Sequence, residues 1–192
     1  GQYGRPWMAP VGGVWLSAAL PWPQQESSTG LFGLTVALAL AEQLESAGLE
    51  VSIKWPNDLL INSRKLAGLL PSLIFRGHRV RLARIGVGLN VNNPVPAGAV
   101  SLRELLSPGR CRLRLWQGAV LRALDRSREL ALEPSRVVRQ AEQRLWAESV
   151  ADPGTGELWR VRGIGMDGCL LLQRGTRRIS WTRWTDSPDQ DL

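Results

Sequence analysis

The sequence predicts an α+β fold: a mixed or antiparallel sheet flanked by helices (residues 1–147), then a small all-β module (148–185) and an acidic tail (186–192). Three observations carry this expectation. Successive β-like runs between Val51 and Asn92 are separated only by short turns, which can join antiparallel strands but not the crossovers of a parallel sheet. Helical patterns stand before and after these runs. Beyond Trp146 the texture changes to short β runs punctuated by Asp167-Gly168 and Arg174-Gly175-Thr176.

The elements follow in order. "GQYGRPW" is a Gly-rich polar loop, and "GGVWLSAAL" reads as a strand ended by Pro21 and Pro23. Ser27, Ser28 and Thr29 are N-cap candidates for a helix from about Leu31 to Ala47, with Gly48 as its C-cap. "LEVSIKW" is a strand leading into the "PND" turn. "LLINSRKLAGLLPSLIF" reads as two short strands around the polar "NSR" turn. After "RGH" turns the chain, "RVRLARIGVGLNVN" forms a longer strand stopped by Pro94 and Pro96. "SLRELL" is a short helix with Ser101 as cap and Glu104 at the capping-box position. Leu115, Ala119, Leu121, Leu124 and Leu132 are expected to share one face of the next helix. Pro134 and Ser135 open another, with Val137, Val138, Ala141, Leu145 and Trp146 inward. "MDGC" between apolar runs signals a hairpin.

Composition narrows the function classes. The net charge of +7 and a pI near 10.8 admit an anionic partner, yet the arginines are spread along the chain apart from "FRGHRVRLAR" and "SPGRCRLRLW". Cys111 and Cys169 are far apart, which fits a reducing, cytoplasmic setting and argues against a disulfide scaffold or a zinc ribbon. No apolar run is long enough to cross a bilayer. The first residue is Gly1 rather than Met, with no signal peptide in view, so the sequence is expected to be the remainder of something longer. The single histidine, His78, excludes a His-based triad or a His-rich metal site. HExxH, GxSxG and Walker patterns are absent.

Three stretches could carry chemistry. The only lysines, Lys54 and Lys65, lie in "VSIKWPNDLLINSRKLAGLL". Pro56, Asn57 and Asp58 are turn residues, and turn chemistry alone explains them. Lys65 is a compact point charge suited to a phosphate or carboxylate, and Gly68 marks a place where a ligand or another backbone approaches closely. In the first loop, glycines can turn N–H groups toward an anion, Arg5 adds a cationic fork, and Trp7 offers a stacking ring. In "GVGLNVNNP", alternation puts Gly86, Gly88, Asn90 and Asn92 on one face. That face leaves room for a ligand, or equally for a helix packed closely over the strand. No third glycine or helix follows, so a dinucleotide fingerprint is rejected.

Taken in order, "GQYGRPW", "GG-W-LS", "KWPNDLL", "KLAGLL", "GVGLNVN" and "G-MDG-LLL" resemble the biotin protein ligase family over nearly the whole chain. The resemblance implies a catalytic domain like that of class II aminoacyl-tRNA synthetases, followed by a small SH3-like β-barrel. It implies synthesis of biotinyl-5′-AMP from biotin and ATP with Mg²⁺, then transfer of biotin to a lysine of a biotin carboxyl carrier protein. Lys65 and Arg5 would be catalytic. Gly1, Gln2, Gly4, Trp7, Trp55, Pro56, Asn57, Asp58, Gly68, Asn90 and Asn92 would bind biotin or the adenylate, and Asp58 would also meet Mg²⁺. The resemblance implies neither a membrane nor a nucleic-acid partner, and it allows a homodimer. The chain departs from the family pattern at three places. The first Gly-Arg of the loop is absent, Gln2 stands where many members have Arg, and Pro71 and Ser72 replace a Glu common after "K-x-x-G". Lipoate ligases share the fold, but their Arg-Arg-x-Ser-Gly-Gly-Gly and Val-x-His-Asp signatures are missing. Two other readings stay open. One is an inactive fragment of the ligase. The other is a nucleic-acid module using Arg76, Arg79, Arg81, Arg84, Arg178 and Arg183, with Trp181 and Trp184 stacking.

Overall fold

A computed structural model describes residues 8–22 and 26–182, with 26–28 described by backbone alone. The first sheet contains β1 (Val14–Leu20), β2 (Ser52–Lys54), β3 (Asp58–Ile61), β4 (Arg64–Arg76) and β5 (Arg79–Leu89) in the order β1-β5-β4-β3-β2. Every pairing in it is antiparallel, as the short turns require. The helices are α1 (Phe32–Glu45), α2 (Leu102–Leu105), α3 (Leu113–Leu130) and α4 (Pro134–Glu142). A second antiparallel sheet follows, β6 (Ser149–Ala151), β7 (Leu158–Ile164), β8 (Leu170–Arg174) and β9 (Arg177–Trp181), ordered as in the sequence.

The core sits between the first sheet and the helices. Ala67 and Leu69 of β4 and Ala83, Ile85, Val87 and Leu89 of β5 are buried on one face. Helix α1 packs on that face and against α3, so Phe32 through Ala41 are buried without interruption. A helix covered on both sides needs no polar stripe, which is why its sequence is apolar nearly all round. Its exit matches expectation. Gly48 takes φ +81°, its N–H donates to Glu45 O, and the Leu49 N–H donates to Leu44 O. This is a Schellman cap. Gly48→Ala should therefore destabilise the protein by about 1 kcal/mol, because a Cβ is strained at positive φ; urea unfolding would measure it.

Four expectations need correction. Helix α1 has no Ser or Thr cap: a 3₁₀ segment, Glu26–Leu31, leads in and Leu31 is the N-cap. Strand β4 is not short: it runs 13 residues straight through Pro71. Pro71 is tolerated because β3 pairs only as far as Gly68, so beyond Leu69 the strand has β5 on one side alone. Helix α3 buries Trp116, Ala119, Val120, Ala123, Leu124, Ser127 and Leu130, while Leu115, Leu121 and Leu132 are 54%, 52% and 65% exposed. The buried set follows the 3.6-residue period, and the exposed leucines fall off it. Strand β6 was not foreseen, and Trp181 is half-buried against Trp159, Leu170 and Leu172 rather than free to stack. Arg183, Trp184 and the tail lie outside the described residues.

The first sheet is tied to the segment that follows α4. The Ile53 N–H donates to Arg144 O and the Trp146 N–H donates to Ile53 O, which closes the outer edge of β2. Arg144 is locked there by a two-pronged pair with Glu45, at 2.7 and 2.8 Å.

Candidate active site

Strands β3 and β4 meet at a two-residue turn, Asn62-Ser63, with φ +49° and +61°. Both residues in the left-handed region give the hairpin turn whose twist matches the flanking strands. The pairing then slips by one residue. Leu60 faces Lys65, but Leu59 faces Ala67, so Leu66 is an extra, fully buried residue. Side chains alternate along a strand, so one inserted residue moves everything before it to the opposite face. Without the bulge Lys65 would face Ile61 and point toward the helices. With it, Lys65 shares the face of Leu60, Asp58 and Gly68.

On that face the Lys65 ammonium lies 2.8 Å from Asp58 Oδ2. Gly68 stands directly opposite Asp58, and a Cβ there would lie 3.1 Å from Lys65 Cε and 3.2 Å from both Lys65 Nζ and Asp58 Oδ1. The missing side chain is thus the space the ion pair occupies. Gly68 pairs with Gly88, and Gly88 with Trp15; in the next row Leu70 pairs with Gly86 and Gly86 with Ser17. Gly68, Gly86 and Gly88 form a floor without side chains on the sheet face turned away from α1. Trp15 and Leu70 bound it, and neither was expected as a site residue. The Trp15 indole donates to Pro10 O at 2.8 Å, which fixes the ring at this end.

Other predicted residues are placed as follows. The Lys65 backbone is held on its other side as well: its N–H donates to Gly98 O and its carbonyl accepts from Val100 N–H, each at 2.9 Å. Asn90 also backs this strand, its own N–H donating to Leu66 O and its amide reaching Lys65 O at 3.4 Å. Asn92 lies beyond the end of β5, and its amide donates to Cys111 O at 2.7 Å. Asn90 is knitted to the buried Asn93, whose amide donates to Asn90 Oδ1 and Pro94 O. Asn57 is stitched twice to Leu69, accepting its N–H at 2.9 Å and donating its own amide to Leu69 O. Trp55 precedes a cis Pro56 and packs between the two cores. Lys54 ends β2 with its ammonium 5.6 Å from the Trp146 ring. Gly1, Gln2, Gly4, Arg5 and Trp7 lie outside the described residues.

The arrangement offers one ammonium and one carboxylate beside a strip of glycines. Such a site can receive a carboxylate or phosphate beside a fixed cation. No group of three or more His, Cys, Asp or Glu side chains that could cage a metal occurs among the described residues. A groove lies elsewhere, between α1 and α3, lined by Gln43, Ala47, Arg110, Leu115, Trp116 and Arg122. Its walls carry no chemistry of this kind.

Comparison with known proteins gives the family. Residues 1–92 match the Biotin/lipoate A/B protein ligase family. The biotin–[acetyl-CoA-carboxylase] ligase of Paracoccus denitrificans is 33% identical over 198 residues, covering 90% of this chain and 79% of that protein. The bifunctional ligase/repressor BirA of Bacillus subtilis is 39% identical over 94 residues, which is 48% of this chain and only 29% of the repressor. In three dimensions the chain resembles the biotin protein ligase from Aquifex aeolicus, with a TM-score of 0.72 at 22% identity over 88% of this chain and 79% of that one. The same enzyme in complex with biotin and ATP aligns with a TM-score of 0.70 at 21% identity, over 93% of this chain and 79% of that one. Alignment over 90% of this chain and 79% of the Paracoccus ligase, at 33% identity, places the chain in the biotin protein ligase family.

Proposed function

We propose that this chain activates biotin as biotinyl-5′-AMP and passes the biotinyl group to a lysine of a biotin carboxyl carrier protein. One observation carries the reading: the bulge at Leu66 aims Lys65 onto the face that Asp58, Gly68 and Gly88 share, where it pairs with Asp58. In the first step the biotin carboxylate attacks the α-phosphorus of ATP and pyrophosphate leaves. In the second the carrier amine attacks the acyl carbon and AMP leaves. Negative charge builds on oxygens around one centre in both steps, and an ammonium fixed beforehand stabilises it most in the transition state. Gly68, Gly86 and Gly88 would let the biotin chain lie flat on the sheet, walled by Trp15 and Leu70. Gly1, Gln2, Gly4, Arg5 and Trp7 would cover the adenylate and exclude water.

Mg²⁺ belongs to the same proposal. A lone carboxylate fits a cation that arrives on substrate phosphates and keeps most of its waters, and Asp58 is that carboxylate. Asn57 would set the position of Asp58, with Pro56 and Trp55 behind it. Asn90 would do the same for Lys65, with Asn92 bracing the adjoining loop. We read residues 1–147 as the catalytic domain and 148–185 as an SH3-like module. The free, buried thiols of Cys111 and Cys169 suit a cytoplasmic setting.

The test is direct. The complete protein, given biotin, MgATP and a carrier domain, should release pyrophosphate and raise the carrier mass by one biotinyl group. Labelling with lipoate but not biotin would overturn the reading.

A further inference from the structure

The turn that carries Asp58 is held from outside its own sheet. The Trp55 indole N–H donates to the Gly168 carbonyl at 3.0 Å, across 113 residues of sequence. Gly168 belongs to the tight turn between β7 and β8, where it takes φ +82°. The turn presses against the start of α1 closely enough to forbid side chains on both partners. A Cβ on Gly30 would fall 1.8 Å from Asp167 O, and one on Gly168 would fall 2.5 Å from Gly30 O. Glu142, at the end of α4, accepts the Ile164 N–H at 2.8 Å, and a Cβ on Gly163 would lie 2.3 Å from the same carboxylate oxygen. The second sheet is thus seated at three points, and one of them is the residue that opens "WPND".

The path from that residue to the site is short and stiff. Trp55 packs into both cores, so it moves with both. Asn57 follows, tied twice to Leu69. Asp58 comes next, 2.8 Å from the Lys65 ammonium. The Asp167 side chain keeps the far turn in shape by accepting the Cys169 N–H at 3.1 Å. Hydrogen bonds from the Cys169 thiol and N–H hold the Asp167 carboxyl below the usual carboxylate range, so it stays ionised and in place at neutral pH. Burial, then Asp167 itself, pushes the Cys169 thiol up to about 11, so that thiol stays protonated and able to donate.

We infer that the Asp167–Gly168 turn is a positioning element for adenylation: it holds Trp55, and through Asn57 it sets Asp58 against Lys65. The second sheet therefore contributes to the rate of the first half-reaction without touching substrate. This inference depends on the ligase reading above.

Gly30→Ala tests it, since that change wedges the turn away without altering any group at the site. The measured quantities are biotin-dependent pyrophosphate exchange, the cooperative melt, and hydrogen exchange of the Leu69 amide, which donates to Asn57 O. The expected result is a kcat lowered roughly tenfold or more, a KM for biotin within about twofold of wild type, and faster exchange at Leu69. A folded Gly30→Ala protein with wild-type kcat would overturn the inference, as would a change confined to the KM for biotin. If Gly30→Ala does not melt cooperatively, Trp55→Phe decides by the same criteria, since it deletes the indole donor and keeps most of the packing. A wild-type protein without biotin-dependent exchange would sink the ligase reading instead. The Leu69 amide would then still report whether the turn is held from the second sheet.

Discussion

Lys65→Arg should abolish most of the proposed adenylate formation and leave the protein folded. Lys65 Nζ is a point donor held 2.8 Å from Asp58, and its chain lies directly over Gly68. A guanidinium is planar and wider, and it would meet Asp58 through both prongs of its fork. Its charge would then sit on the carboxylate rather than on the reacting oxygens. Loss of one preorganised donor at a developing oxyanion costs about 10²–10³ in kcat, and that is the expected fall in pyrophosphate exchange. Lys65→Ala should lose at least as much. Stability should barely move, because the Lys65 side chain is 44% exposed and pairs of that kind contribute about 0–1 kcal/mol. Full exchange activity in Lys65→Arg would remove Lys65 from the chemistry.

Gly68→Ala is the second large effect, and its signs differ between activity and stability. The new methyl would stand 3.1–3.2 Å from Lys65 Cε, Lys65 Nζ and Asp58 Oδ1, tighter than ordinary contact. The ion pair has to give by a few tenths of an ångström and the floor loses depth. Misplacement on that scale is enough for a roughly 10–100-fold loss of kcat/KM. The backbone at Gly68 is not in the left-handed region, so alanine fits the strand and restricts the unfolded chain. Stability should therefore hold or rise by a few tenths of a kcal/mol, about what a replaced glycine contributes. Parallel steady-state kinetics and urea melts would check both; equal activity in Gly68→Ala would show that the pair does not use this space.

The same residues show how far a linear reading reaches. Short turns and apolar runs were enough for strands β2 to β5, because those signals are local. Capping was legible at α2, where Glu104 accepts from Ser101, and at Gly48. It was not legible at α1, which is entered through the 3₁₀ segment Glu26–Leu31 with no side-chain cap bond at Leu31. The α3 face was misjudged because leucines were counted where period should have decided, and alanines, a serine and a tryptophan line the buried stripe. Trp15 and Leu70 were missed for another reason. Each looks like an ordinary strand residue, and only cross-strand register brings them to the glycine floor.

The sequence by itself determined the α+β class, the turn at "WPND" and the pairing of one lysine, Lys65, with Gly68, because residue types and their spacing encode those directly. Asp58 joined them only through the resemblance to the family. Tertiary structure alone decided which way Lys65 faces. Simple alternation from Asp58 through the hairpin puts Lys65 on the helix side of the sheet, where its ammonium would be buried without a partner. The extra residue, Leu66, is accepted into the core and rolls Lys65 to the other face. A bulge has no spelling of its own, because it arises when burying one leucine and pairing one lysine cannot both be met in regular register.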